Sequence, residues 1–130
     1  MLEGIDIATL DIASLVPHQG AMCLWQRVLG FDADSVRVAT ASHRDPGNPL
    51  RSDGRLRAIH LCEYGAQAMA VHGGLLAREG LPPRRGVLVA LRGVELHCAR
   101  IDELAGELTG HATLLVQSET SQQYAFRIEH

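Results

Sequence analysis

Residues 58–74, "AIHLCEYGAQAMAVHGG", decide the fold. They consist of helix formers and small residues with no proline, so they specify one helix. That helix is apolar or small on nearly every side, yet Glu63 and Gln67 stand in its middle. A helix apolar all round must be covered all round. Positions three and four apart share a face, so His60, Glu63 and Gln67 form one polar line. Leu61, Cys62, Ala66, Met69, Ala70 and Val71 occupy the other sides. Gly65, Gly73 and Gly74 let a backbone or a ligand come close. A carboxyl desolvated here has its charged form disfavoured, which fits it to proton transfer. The competing reading makes Glu63 a structural group bonded to Gln67, because buried polar networks do the same to a carboxyl.

Working outward, the helix is expected from about Arg57 to Arg78, ended by Gly80 and the prolines that follow. Ahead of it, "HRDPGNPLRSDGR" is rich in Pro, Gly, Asp and Asn and reads as a long ordered loop. Met22–Phe31 reads as a strand, "DAD" as a turn, and Ser35–Ser42 as the hairpin partner, Val36 and Val38 alternating with Arg37 and Ala39. Ile5–Leu15 reads as a short helix or turn. After the helix, Gly86–Ala99 is strand-like, with Val94, Leu96 and Cys98 on one face. Leu104–Val116 alternates again, with Leu104, Leu108, Ala112, Leu114 and Val116 inward and Glu107, Thr109, His111 and Thr113 outward. Tyr124–Glu129 starts one more strand. The expected architecture is α+β, a curved antiparallel sheet wrapped around one long central helix, as a single domain over residues 1–130.

The bulk properties exclude several functions. A chain of 130 residues supports one core and not two. Hydrophobic content of 46% with 21% charged residues is that of a folded globular protein. A net charge of −3 and a pI near 6.1 leave no electrostatic footprint for nucleic acid or an anionic membrane. The start, "MLEGIDIATLDIASL", is acidic where a secretory signal is basic. Residues 59–77 are long enough to span a bilayer, but His60, Glu63, Gln67 and His72 interrupt them. An intramembrane acid alone costs roughly 2.5–3.5 kcal/mol. A cytoplasmic protein is expected. Cys23, Cys62 and Cys98 are scattered, without a C-x-x-C pair, so they are expected to be reduced, buried and inert. No metal site and no cofactor are expected.

The seven histidines sort by position. His97 and His111 fall on outward faces and His130 is terminal, so these three are expected to be solvated. His72 is expected to pack in the helix, and His60 to be structural. His18 in "VPHQGAM" and His43 in "SHRDPGNP" sit in Pro- and Gly-rich loops, where catalytic groups tend to be placed. "HRD" at 43–45 matches the kinase catalytic loop, but no glycine-rich loop, β3 lysine or D-F-G accompanies it.

With these pieces in order, "VPHQGAMCLWQRV" resembles the opening of β-hydroxyacyl-acyl-carrier-protein dehydratases, and "LCEYGAQAMAVHG" resembles their central helix. The combination with "SHRDPGNPLRSDGRL" is most similar to the companion dehydratases of bacterial aryl-polyene gene clusters. It covers Leu15 to Val116. The resemblance implies a hotdog fold and a dimer, with itself or with a related hotdog subunit. It further implies elimination of water from a 3-hydroxyacyl thioester carried by acyl carrier protein or coenzyme A, in polyene or fatty-acid-type synthesis. On that basis Glu63 is the acid that assists hydroxyl loss and Gln67 supports it; Asn48 and Gly65 join Gln67 as substrate-binding residues. The better-known dehydratases carry a histidine in a "GHFPG" loop about fourteen residues before the acid. Here that count reaches Pro49, beside Asn48. Either His43 or His18 supplies the base, or this subunit is the non-catalytic half of a heteromeric dehydratase. A hotdog thioesterase is the third reading. The resemblance also implies a further strand, so a sheet cut short at its C-terminal end is expected.

Overall fold

The computed structural model describes residues 7–80 and 90–130. Two single-turn 3-10 segments, Ile7–Thr9 and Ile12–Ser14, lead in, the second capped by the Asp11 carboxylate accepting from the Ala13 N–H at 3.1 Å. A third, Gly20–Met22, stands where the strand Met22–Phe31 is expected to begin, so that strand is shorter: β1 is Arg27–Phe31. The turn after it is closed by Asp32, whose Oδ1 accepts from the backbone N–H groups of Asp34 and Ser35, both at 2.8 Å. β2 follows over Ser35–Thr40, burying Val36, Val38, Ala39 and Thr40.

The 43–57 loop is ordered by its own polar groups. Asn48, buried, sends its amide to the Ser42 carbonyl and the Tyr64 hydroxyl and accepts from the Leu50 N–H. Helix α1, Leu61–Arg78, starts after the 3-10 turn Ala58–His60 and matches the expected helix closely. Two strands close the sheet, β3 Leu108–Gln117 and β4 Gln122–Glu129. The order is β1-β2-β3-β4, antiparallel throughout.

One face of α1 lies on this sheet. Tyr64, Ala68, Val71 and Leu75 are fully buried with Leu24, Trp25, Val38, Leu108 and Ala112. Trp25 donates its indole N–H to the Tyr64 carbonyl at 2.7 Å and meets the Tyr64 ring edge-on at 5.5 Å. Gly110 makes room for Trp25: a Cβ there would stand 2.5 Å from the indole. The hotdog arrangement, a sheet wrapped over one long helix, is thus present.

Several expectations are corrected. Of the strand expected over Gly86–Ala99, residues 86–89 lie outside the described residues and 90–99 form no strand. Val94, Leu96 and Cys98 are all exposed, so their alternation has no second layer to bury one face. Regular pairing resumes as an isolated bridge, Arg57 to Arg100. Leu104 precedes the strand rather than starting it, because Gly106 turns the chain at a positive φ of 70°. A register shift between Leu114 and Val116 turns Val116 outward, where it is 57% exposed. The cysteines are not all buried: Cys98 is exposed and Cys23 and Cys62 are half-buried. His111 is not simply solvated, since it pairs with Glu129 at 3.2 Å. No described helix is long and apolar enough to cross a membrane.

Candidate active site

The N-terminal 3-10 segments run beside α1 at Gly74, where a Cβ would stand 2.2 Å from the Leu15 carbonyl oxygen. This contact brings the loop that follows, with Pro17 and His18, to the first turn of the helix. There His18 Nε2 lies 3.5 Å from Glu63 Oε2. The side chains are 29% and 36% exposed, and His18 Nδ1 is buried without a partner among the described residues.

Gln67, one helical turn on, fixes this geometry. Its Oε1 accepts from the Leu24 N–H at 2.9 Å, and its Nε2 donates to the Met22 carbonyl at 2.7 Å and to Glu63 Oε2 at 3.2 Å. The fully buried carboxamide therefore ties the helix to the chain entering β1 and orients the carboxylate. A glutamate here would set a second acid against the first and lose both donated bonds.

The pair stands on the wall of a groove of about 2450 Å³. Leu61, Cys62, Ala66, Met69, Ala70 and Gly73 of α1 form one side and Tyr124, Phe126 and Ile128 of β4 the other, with residues 90–97 along the rim. An ordinary small-molecule pocket is roughly 300–1,000 Å³, so this is an open trough, not a closed cavity. The carboxyl is accordingly a third exposed rather than sealed; the desolvation expected from the apolar helix is partial in the single chain.

Of the six candidate catalytic and substrate-binding residues, His18 and Glu63 line the groove and the other four do not. Gln67 lies beneath them. Gly65 faces β4: a Cβ there would meet the Phe126 ring at 2.4 Å, so the missing side chain is space that Phe126 fills. His43 is fully buried, its Nε2 2.9 Å from the Leu104 carbonyl, and burial pushes its imidazole below the ordinary 6.5. Asn48 bonds Ser42, Leu50 and Tyr64. Neither His43 nor Asn48 has a hydrogen bond to His18, Glu63 or Gln67. Tyr124 and Phe126 were not singled out, although the alternation Tyr124, Phe126, Ile128 marks one face of β4 as the groove wall.

The arrangement holds what a proton-shuttling site needs: a base and an acid within reach of each other, a positioning amide and an apolar channel. The positive end of α1 lies within a turn of the carboxyl, where developing negative charge is stabilised.

Comparison with known proteins bears on the family and the fold. Residues 10–130 match the family model for ApeP-like proteins, described as ApeP dehydratase. The fold is similar to a solved structure, the dehydratase heterocomplex ApeI:P from Xenorhabdus doucetiae, with a TM-score of 0.79 and 24% identity, covering 92% of this chain and 81% of that one. No curated protein matches. The chain belongs to the ApeP-like dehydratase family.

Proposed function

We propose that this ApeP-like chain is the subunit of a heteromeric hotdog dehydratase that eliminates water from a 3-hydroxyacyl thioester, with His18 as base and Glu63 as acid. The observation that carries this reading is the approach of His18 Nε2 to Glu63 Oε2 on the wall of an apolar groove.

The reaction requires a neutral imidazole at His18 and a protonated carboxyl at Glu63. His18 takes the proton from the carbon next to the thioester carbonyl, and that electron pair forms the new double bond to C3. The C3–O bond breaks as the Glu63 proton passes to the departing hydroxyl, which leaves as water. The proton now on His18 returns to Glu63 across the 3.5 Å gap. During the first step the enolate oxygen faces the N-terminus of α1. No external oxidant, reductant or water is consumed.

Three features support a partner subunit. The groove is open along one side, β4 pairs with β3 alone among the described residues, and Leu91, Val94 and Leu96 are exposed beside it. The similar structure is itself of a heterocomplex. A related hotdog subunit laid on this face would cover the trough and complete the desolvation of Glu63. The substrate is carried on acyl carrier protein or coenzyme A, in the cytoplasm.

The test is an assay of the chain alone and mixed with a related hotdog subunit, on 3-hydroxyacyl thioesters, following enoyl product and free thiol together. Enoyl formation that disappears in His18→Ala and Glu63→Gln supports the assignment. Free thiol without enoyl identifies a thioesterase instead. Dehydration in the mixture that survives both substitutions makes this chain the structural half.

A further inference from the structure

Leu24 is fully buried just ahead of β1, and neither its N–H nor its carbonyl has a backbone partner among the described residues. Side chains hold both. The N–H donates to Gln67 Oε1 at 2.9 Å, and the carbonyl oxygen accepts from Thr40 Oγ1 at 2.6 Å and from Ser42 Oγ at 2.7 Å. Two hydroxyl donors use both lone pairs of that carbonyl, so its position is fixed from two directions.

The direction of each bond follows. A carbonyl oxygen only accepts, so Thr40 and Ser42 each spend their one proton on Leu24. Ser42 Oγ therefore accepts from the Tyr64 hydroxyl, 2.9 Å away, and that hydroxyl accepts from Asn48 at 3.1 Å. Thr40 Oγ1 in turn accepts from the Ser42 N–H at 2.9 Å. The donors run one way, from the 43–57 loop through Tyr64 and Ser42 to the Leu24 backbone. From there the Leu24 N–H meets Gln67, and Gln67 donates to Glu63 Oε2 at 3.2 Å. Hydrogen bonds in such a chain polarise one another, so the Gln67 amide donates more strongly because its oxygen is engaged. Neither hydroxyl lines the groove.

We propose that Thr40 and Ser42 are positioning residues for dehydration, their hydroxyls fixing the Leu24 backbone, which fixes the Gln67 amide and with it the Glu63 carboxyl. This rests on the reading of Glu63 as the acid. Removing one hydroxyl leaves the Leu24 carbonyl a single donor and lets the backbone shift away from Gln67. A misplacement of about 1 Å costs about 10²-fold in rate, so a smaller shift should cost about tenfold.

A substrate whose leaving group needs no proton separates placement of the acid from support of the fold. In the mixture used for the dehydration assay, a 3-hydroxyacyl thioester is compared with its 3-chloro analogue, below the unfolding temperature of every variant. From the analogue His18 removes the same proton, and chloride departs without an acid. Thr40→Val and Ser42→Ala should each lower kcat for the hydroxy substrate about tenfold, with KM little changed, and largely spare the chloro substrate. Thr40→Ser should restore the rate. Glu63→Gln should show the same selectivity, more strongly. Equal losses on the two substrates in a folded variant, or no loss on either, overturn the proposal alone when Glu63→Gln is selective. If Glu63→Gln is not selective, the acid reading fails and this proposal falls with it. Ser42 is only half-buried, so Ser42→Ala decides the matter should Thr40→Val not fold.

Discussion

The two sides of α1 differ sharply in how they are covered. On the sheet side, Tyr64, Ala68, Val71 and Leu75 are buried, and the Tyr64 polar groups are paired. The Tyr64 hydroxyl accepts from Asn48 and meets Ser42 at 2.9 Å, and its carbonyl accepts from Trp25. On the groove side, Cys62, Ala66, Met69, Ala70 and Gly73 line open space, and the polar pair His18–Glu63 is loosely made at 3.5 Å. The sheet side secures the fold. The groove side is left open, as the proposed substrate and partner subunit require.

Substitutions on the two sides should therefore move different quantities. The largest effect belongs to the groove side. Glu63→Gln or His18→Ala should lower dehydration by about 10²–10⁴-fold, the usual contribution of one positioned proton-transfer group. Thermal unfolding of those variants should be little changed; a large drop in melting temperature would assign the pair to the sheet side's work.

Where α1 and the sheet are closely packed against other chain the effect is on stability. Gly74→Ala drives a methyl toward the Leu15 carbonyl, and Gly110→Ala drives one into the Trp25 indole. Each should cost about 1–3 kcal/mol in denaturant unfolding, as overpacking does. Neighbouring Gly73, with nothing within 4 Å of its Cβ position, sharpens the contrast. Gly73→Ala should stabilise by up to about 1 kcal/mol through helix propensity alone. Opposite signs at adjacent glycines would locate the edge of the contact between α1 and the Leu15 segment.

The last prediction is a slope against pH. Burial holds His43 below its ordinary 6.5 in the folded chain, with its Nε2–H donated to Leu104. Below about pH 6.5 the unfolded chain takes up a proton that the folded chain refuses, so stability is full above that pH and falls as pH drops toward the folded value. His43→Gln should flatten this part of the curve. At lower pH, Arg100 and the Leu56 N–H hold the Asp102 carboxyl well below its ordinary 3.8. A second loss of stability therefore begins under pH 3.8 and should persist in the His43 variant.

Much of this was legible in the sequence because it is local. The helix over residues 61–78, the hairpin through Asp32, and Glu63 with Gln67 one turn apart all follow from periods and spacings within a few residues. What was not legible depends on distant chain. The alternation in Val94, Leu96 and Cys98 is real, but a strand also needs an edge and a layer to cover it. His18 and His43 stand in similar loops, and nothing near either one tells that Leu15 meets Gly74 and carries the first to Glu63, while the second turns into the core. Tyr124 and His72 are 52 residues apart, and only the sheet brings them together.

Gln67 uses both of its N–H groups and its carbonyl, two bonds on the Met22–Leu24 backbone and one on Glu63. Its amide works as a ruler laid between the loop after His18 and the helix. The chain from His18 to Leu24 must then keep its length, since an inserted or deleted residue would be taken up at one end of the ruler or the other. Between His18 and Leu24, drift should be tolerated in the exposed side chains and forbidden in number.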